Sequence, residues 1–258
     1  MKLLRLFGAG LRMSVQGTLA FRLNLLFDIG LAIVGLGASL ATVVIVFTRT
    51  DSLVGWSEAD SCVLIGTFQL LSSLKGAFID PNLSWFPDDG IRNGRLDTYL
   101  LQPAPTLFLA SLAKSTPLAL VQFVLGSAVI AVGLDRVPSP VAVLAWLVTL
   151  AAGLAVTWSM GVLLACLAFW APRLQLDIFY SSAWQLARYP MDIYRRPLRA
   201  VLTYFLPLAL IATVPTTTLL DGPRILVLAP VVAGAAVSCL LATICWRLGL
   251  RRYTGATS

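Results

Sequence analysis

Enzyme sites draw on a short list of side chains, and this chain is poor in them. It has no histidine, which removes His-based zinc sites, Ser-His-Asp and Cys-His nucleophiles, and His proton relays. Cys62, Cys166, Cys239 and Cys245 form no CxxC pair. At least three of them lie in apolar runs, where a thiol acts as a small buried hydrophobe. The acids are almost all aspartate, with Glu58 the one glutamate. Asp28, Asp80, Asp97 and Asp177 are not spaced for two-carboxylate catalysis, and helix capping or a solvated terminus accounts for each. Asp177 stands apart. Its neighbours Gln175, Tyr180, Ser181, Ser182 and Gln185 make a polar, aromatic stretch inside an otherwise apolar region. At membrane depth an ionisable group is a functional residue by default. A polar face of this kind suits a translocation path and equally an interfacial helix that never crosses. No metal-ligand cluster and no G-x-x-x-x-G-K-[ST] phosphate loop occurs.

The elements that must position these groups follow from composition. The 258 residues are 58% hydrophobic and 12% charged, against about 45–50% and about 25% in soluble domains. Mean hydropathy is +0.86. A soluble globule, a disordered chain and a nucleic-acid-binding domain are excluded, and the surplus apolar residues must face lipid. A crossing takes about 20 residues, so the length accommodates roughly six helices with short loops. The net charge of +7 reports orientation first, through the excess of Lys and Arg on the cytoplasmic side.

Residues 1–23 do not resemble a cleavable signal, because the first long apolar run begins only near Leu25. Leu3, Leu4, Phe7, Leu11, Val15 and Leu19 recur at helical spacing, with Lys2, Arg5, Arg12 and Gln16 between them. That pattern predicts an amphipathic helix on the inner membrane surface. Spans are expected at 25–47, 60–79, 107–134, 141–170 and 225–246. The second carries Thr67, Gln69, Ser72, Ser73 and Lys75. Such polar groups face protein or a water-filled path, which makes Gln69 and Ser73 path candidates alongside Asp177, Tyr180 and Gln185. Lys75 is expected to snorkel to the inner surface. Asp88 and Asp89 are placed to open a short interfacial helix ending before Pro103. Two stripes of small residues, Gly153/Thr157/Gly161/Ala165 and Gly234/Ser238/Ala242, permit close helix packing but arise readily by chance in a Gly- and Ala-rich chain. Trp56, Trp85, Trp170 and Tyr253 read as interface anchors.

Basic residues at both ends put both termini in the cytoplasm, so the number of crossings is even. Between Trp170 and Ile225 two segments compete for one crossing. Residues 174–189 are moderately apolar; residues 200–216 are more apolar but contain Pro207 and Pro215. Charge favours 200–216, which keeps Arg188, Arg195, Arg196 and Arg199 inside.

The segment from Ile91 to Pro103 contains Gly94-Arg95-Leu96-Asp97-Thr98-Tyr99-Leu100-Leu101-Gln102-Pro103. It resembles the "G-x-L-D-x-x-L-L-x-P" coupling segment in the membrane subunit of type-2 ABC exporters. Phe169-Trp170 closing the fourth span, with Tyr189-Pro190, Leu206-Pro207 and Val214-Pro215, is similar to the branch in which two permeases often accompany one ATPase. The resemblance implies an all-α integral membrane protein of six transmembrane helices, a single permease domain over 1–258. Residues 1–23 would be its elbow helix and 88–101 its cytoplasmic coupling helix. A proline-rich re-entrant region over 190–222 would carry Pro190, Pro207 and Pro215. It makes 173–189 the fifth span and 198–217 the re-entrant hairpin, against the positive-inside trend. It further implies two ATP-binding subunits per complex, with ATP and Mg²⁺ on them and no cofactor on this chain. A second permease, identical or homologous, completes the path. Arg92, Arg95, Leu96, Asp97 and Tyr99 become the contacts to the ATPase. The alternative for Arg92, Arg95, Asp97 and Tyr99 is a solvated juxtamembrane loop.

Export follows from the resemblance alone. Arginine outnumbers lysine 16 to 3, which suits a GC-rich bacterium and its cytoplasmic membrane. Two other functions compete. An integral-membrane lipid-acting enzyme would need a polar cluster built from Asp, Arg or Tyr alone. An ATP-independent carrier would show inverted repeats and midplane carboxylates, and neither is visible in the sequence.

Overall fold

The computed structural model describes residues 7–8, 11–14, 16, 22–171 and 176–253. Apart from one isolated bridge between Leu53 and Trp56, its regular structure is helical. The principal helices are α1 (Arg22–Phe47), α2 (Glu58–Leu74), α3 (Arg95–Leu100), α4 (Thr106–Leu112), α5 (Val121–Gly133), α6 (Pro140–Leu167), α7 (Leu176–Trp184), α8 (Thr213–Asp221) and α9 (Ile225–Arg252). Four stretches among the described residues are long and apolar enough to cross a bilayer: Leu26–Phe47, Glu58–Arg92, Pro140–Leu167 and Ile225–Arg252. Thr106–Leu112 with Pro117–Gly133 makes a fifth if that pair, bent by 62°, is one span.

Local chemistry sets the helix starts. Ser57 caps α2: its hydroxyl accepts from Asp60 N–H at 3.1 Å, while the Asp60 carboxylate accepts from Ser57 N–H at 3.1 Å. This reciprocal box satisfies two otherwise orphaned donors. Ser139 caps α6 by accepting from Ala142 N–H, with Pro140 at the first helical position, where its missing N–H costs nothing.

The second span runs further than its sequence suggests. Expected over 60–79, it continues to Arg92 through π-helical turns at Lys75–Ile79 and Phe86–Arg92. Asp88 and Asp89 therefore close this helix instead of opening the next one. Gly94, at φ +70°, makes the left-handed break that ends it. The coupling helix expected over 88–101 is thus divided: its first part belongs to the second span, and only α3 is a separate helix.

The third span also departs from expectation, which was one helix over 107–134. It bends between α4 and Pro117 because Pro117 cannot donate to the turn before it, and the side chain of Asn82 replaces the missing backbone partners. Asn82 Nδ2 donates to the Lys114 carbonyl at 2.8 Å and to the Phe78 carbonyl at 2.8 Å. Its Oδ1 accepts from Lys114 N–H at 2.9 Å.

Packing is closest where side chains are smallest. A Cβ on Gly66 of α2 would stand 2.8 Å from the Gly126 carbonyl oxygen of α5, and one on Gly126 would stand 2.8 Å from the Gly66 carbonyl oxygen. The Gly153/Gly161 stripe on α6 is likewise occupied. Leu210 O lies 2.5 Å from a Cβ built on Gly153, and Leu83 Cδ1 lies 2.7 Å from one on Gly161. The stripe on α9 is used only in part: Gly234 has nothing within 4 Å, whereas Ala242 is buried and meets α6 together with Val231 and Ala235.

Between α6 and α9 neither competing segment forms one long helix among the described residues. Residues 172–175 lie outside the description; from Leu176 the chain is α-helical to Trp184 and then a 3₁₀ turn to Arg188. The region 190–222 is a series of short pieces broken at Pro190 and Pro207, and Pro215 falls in the first turn of α8. This overturns 200–216 as a straight span, since a proline ring cannot continue the hydrogen-bond ladder across Pro207. The region is covered in part by protein. Leu202, Leu208, Ile211 and Leu219 are buried with Leu64, Phe68 and Leu71 of α2, and irregular backbone at membrane depth needs such protein cover. The leader helix expected over 1–23 lies largely outside the described residues; within it, the Phe7 ring sits 5.7 Å from that of Phe78.

Candidate functional site

The π-helical turn at Lys75–Ile79 decides the geometry of the polar interior. Asp80 N–H donates to the Lys75 carbonyl, the five-residue step of a π turn. In an α-helix, positions i and i+5 point well apart; the wider turn stacks them. Lys75 Nζ consequently donates to both Asp80 carboxylate oxygens, at 2.7 and 2.8 Å. The same ammonium lies 5.2 Å from the Trp184 ring centre, within reach of a cation–π contact. The Lys75 side chain is 12% exposed and that of Asp80 46%. Lys75 therefore does not snorkel to the surface as expected: it is held inside by a partner that an α-helical reading places on another face.

Two cavities meet at this pair. One of about 270 Å³ is lined by Lys75, Asp80, Leu83, Thr157, Gly161 and Tyr180 among others. The second, of about 350 Å³, is lined by Lys75 and Asp80 again, with Gln69, Ser72, Gln122, Trp184, Gln185 and Arg188. Trp184 Nε1 donates to Ser72 Oγ at 2.9 Å, joining α7 to α2. Arg188 donates to Gln185 Oε1 at 2.7 Å and stacks 5.4 Å from the Phe68 ring centre.

Of the path residues expected from sequence, Gln69 and Gln185 line the larger cavity and Tyr180 the smaller. Ser73 lines neither; it is fully buried, and its hydroxyl donates to the Leu70 carbonyl at 2.7 Å. Asp177 falls in the first turn of α7, and its side chain lies outside the described residues. Sequence reasoning missed the Lys75–Asp80 pair, Gln122 and Arg188. The one available signal was a Lys and an Asp five residues apart in an apolar helix, a spacing that means nothing until the π turn is known.

The second candidate region surrounds α3. Leu96 is completely buried with Phe86, Ala165, Cys166 and Trp246, so the root of this short helix is set among α2's extension, α6 and α9. Its outer side is polar and open. Arg92 pairs with Asp88 at 2.7 Å, and Arg95 approaches Asp89 at 3.6 Å. Trp85 lies under both Arg95, 5.4 Å from its ring centre, and Lys114, at 4.0 Å. Tyr99 meets the edge of Trp85 at 6.4 Å. Burial raises the Tyr99 hydroxyl's pKa, with the Arg95 cation partly opposing it. Burial, and then the Asp97 carboxylate, raise that of Tyr253 just past α9. Both phenols stay protonated at neutral pH. Leu100 and Leu101 are 47% and 87% exposed beside these charges. Of the expected coupling residues, Arg92 and Arg95 are exposed and Asp97 and Tyr99 partly so; Leu96, expected as a contact, is instead buried and anchors α3.

Long apolar helices beside two open cavities lined by amides, a tryptophan and a partly buried ion pair define a multi-pass membrane protein. The family model described as ABC-2 family transporter protein matches residues 33–257, most of the chain, and the chain belongs to that family. No curated protein and no solved structure matches it. The family supplies the membrane component of transporters and in general implies an ABC ATP-binding partner.

Proposed function

We propose that this chain is the permease subunit of an ATP-driven exporter, forming half of a translocation pathway and taking its driving force from a separate ATP-binding subunit. One observation carries the reading: α3 and its flanking residues present exposed Arg92, Arg95, Leu100 and Leu101 outward, while Leu96 of α3 is seated among three helices long and apolar enough to cross a membrane. A partner gripping the outer side would move the helices at its root, because a close-packed core transmits displacement. Free energy passes only where the two states of the partner differ in their contacts at this joint. On this reading α3 faces the cytoplasm of a bacterial inner membrane, as do both termini. Two ATP-binding subunits carry ATP and Mg²⁺, and a second permease copy or homologue completes the path. The cavities around Lys75 and Asp80 form the inner part of that path, and 190–222 is the re-entrant region.

The test is co-purification from native membranes with ATP-binding proteins encoded beside this chain, followed by ATPase assay of the complex. Wild type should retain an ATPase. R95A/D97A should lose its binding or its stimulation, and Leu101→Ser should weaken it. If no ATP-binding protein associates under mild extraction, the proposal fails.

A further inference from the structure

An ion pair drawn partly out of water within an apolar helix is costly to assemble. Taking two charges out of water costs several kcal/mol per ion before their attraction offsets it, and such groups in membrane segments mark substrate or ion routes. The pair is also asymmetric. Lys75 is nearly enclosed, held against Trp184, whereas almost half of the Asp80 side chain is open. Asp80 is therefore the partner that can turn away into solvent, leaving the ammonium facing both cavities.

Arg188 adds a second cation to the larger cavity. Among the described side chains lining the two cavities, Lys75 and Arg188 stand against Asp80 alone. The amides of Gln69, Gln122 and Gln185 supply uncharged donors on the same wall. Leu31, largely exposed, adds hydrocarbon at the edge of the larger cavity, where an acyl or aryl chain would lie. Cations beside an exposed hydrocarbon edge suit an amphiphile.

Resting on the pathway reading above, we propose that the Lys75–Asp80 pair is the headgroup site for the cargo, and that the cargo is an amphiphile with an anionic headgroup, phosphate or carboxylate. On entry the anion replaces Asp80 as the partner of Lys75, and Asp80 swings to the open side. An ammonium has three donors and no acceptor, so it can exchange one oxyanion for another without rebuilding the site. A cationic amphiphile would have to displace Lys75, which Trp184 and its burial hold in place.

The test uses the complete chain in phosphatidylcholine nanodiscs and calorimetric titration, with each probe below its micelle concentration. Dodecyl phosphate and dodecanoate should bind saturably. Dodecyltrimethylammonium should not, and inorganic phosphate should bind weakly because it lacks the chain. Lys75→Gln/Asp80→Asn removes both charges, so no buried charge is left unpaired. It should keep the wild-type melting temperature and lose about tenfold or more in dodecyl phosphate affinity, the scale of a lost charge-assisted bond. Lys75→Arg should retain binding. Equal binding of the cationic probe, or undiminished dodecyl phosphate binding by the double variant, overturns the proposal. Gln69→Cys, in a background with Cys62, Cys166, Cys239 and Cys245 replaced by alanine, separates the two readings. If a water-soluble maleimide labels it while no anionic probe binds, the pathway stands and the anionic cargo falls. If it resists labelling, the pathway reading falls too.

Discussion

The carbonyl of Ala77 accepts the Thr116 N–H at 2.8 Å. In an unbroken helix that carbonyl would take the N–H of residue 81, but residue 81 is proline and has none. The vacancy that Pro81 leaves in the second span is filled from the break in the third. Asn82, the next residue, closes the same joint by pairing with the Lys114 peptide. Two breaks in two helices thus satisfy each other, and they do so within one turn of the Lys75–Asp80 pair.

Asn82→Ala should be the most damaging single truncation at this joint. It removes three hydrogen bonds from a side chain only 1% exposed. Leaving buried peptide groups unpaired costs about 1–3 kcal/mol each, partly relieved by rearrangement. A loss of about 2–4 kcal/mol is expected, read as a lower midpoint in thermal unfolding of the detergent-solubilised protein. A midpoint equal to wild type would mean that the joint does not hold the two helices.

The contact between Gly66 and Gly126 predicts a sharp contrast among glycines. Gly66→Ala or Gly126→Ala would set a methyl 2.8 Å from a backbone oxygen, and overpacking of this kind costs about 1–3 kcal/mol. Gly234→Ala meets nothing within 4 Å and should be neutral or stabilising by about 0.5–1 kcal/mol through helix propensity. Melting curves for the three variants side by side decide it; equal shifts would contradict the packing of α2 on α5.

Leu96→Ala should separate stability from coupling. The side chain is fully buried, and truncating such a leucine costs about 2–5 kcal/mol. In the complex with an ATP-binding subunit, we expect substrate-stimulated ATPase to fall further than basal ATPase. An equal fall in both would make Leu96 a packing residue only. Leu96→Met, which keeps the volume, should recover stimulation.

Ser57→Ala tests the start of α2 in isolation from the cavities. It removes the acceptor for Asp60 N–H and opens the reciprocal box. A loss of about 1 kcal/mol is expected, with Ser57→Thr near wild type. Binding of dodecyl phosphate should not change, and a change there would tie the cap to the site.

Much of this was legible in the residues themselves. Composition alone demands helices in lipid, because a chain this apolar and this poor in charge cannot cover itself with polar surface. The first, fourth and last spans are long uninterrupted apolar runs, and they appear as α1, α6 and α9 close to where hydropathy puts them. The segment from Gly94 to Pro103 carries a recognisable pattern, but that pattern offered Leu96 as a contact to a partner, and only the fold shows it buried.

What tertiary structure alone decided is how the breaks are used. Prolines 81, 87, 117 and 207 announce interruptions, but a proline reports only a missing donor and not which group replaces it. The answer lies in another segment: Thr116 for Ala77, and Asn82 for Lys114. The π turn at Lys75–Ile79 is of the same kind. Its sequence, Lys-Gly-Ala-Phe-Ile, is an ordinary helical stretch, and the extra residue per turn is revealed only by the five-residue hydrogen bond. That one turn moves Asp80 onto the face of Lys75, whose ammonium also lies against Trp184, more than a hundred residues further along the chain. Periodicity at 3.6 residues places each side chain on its own helix; it cannot place a side chain where the period itself has changed.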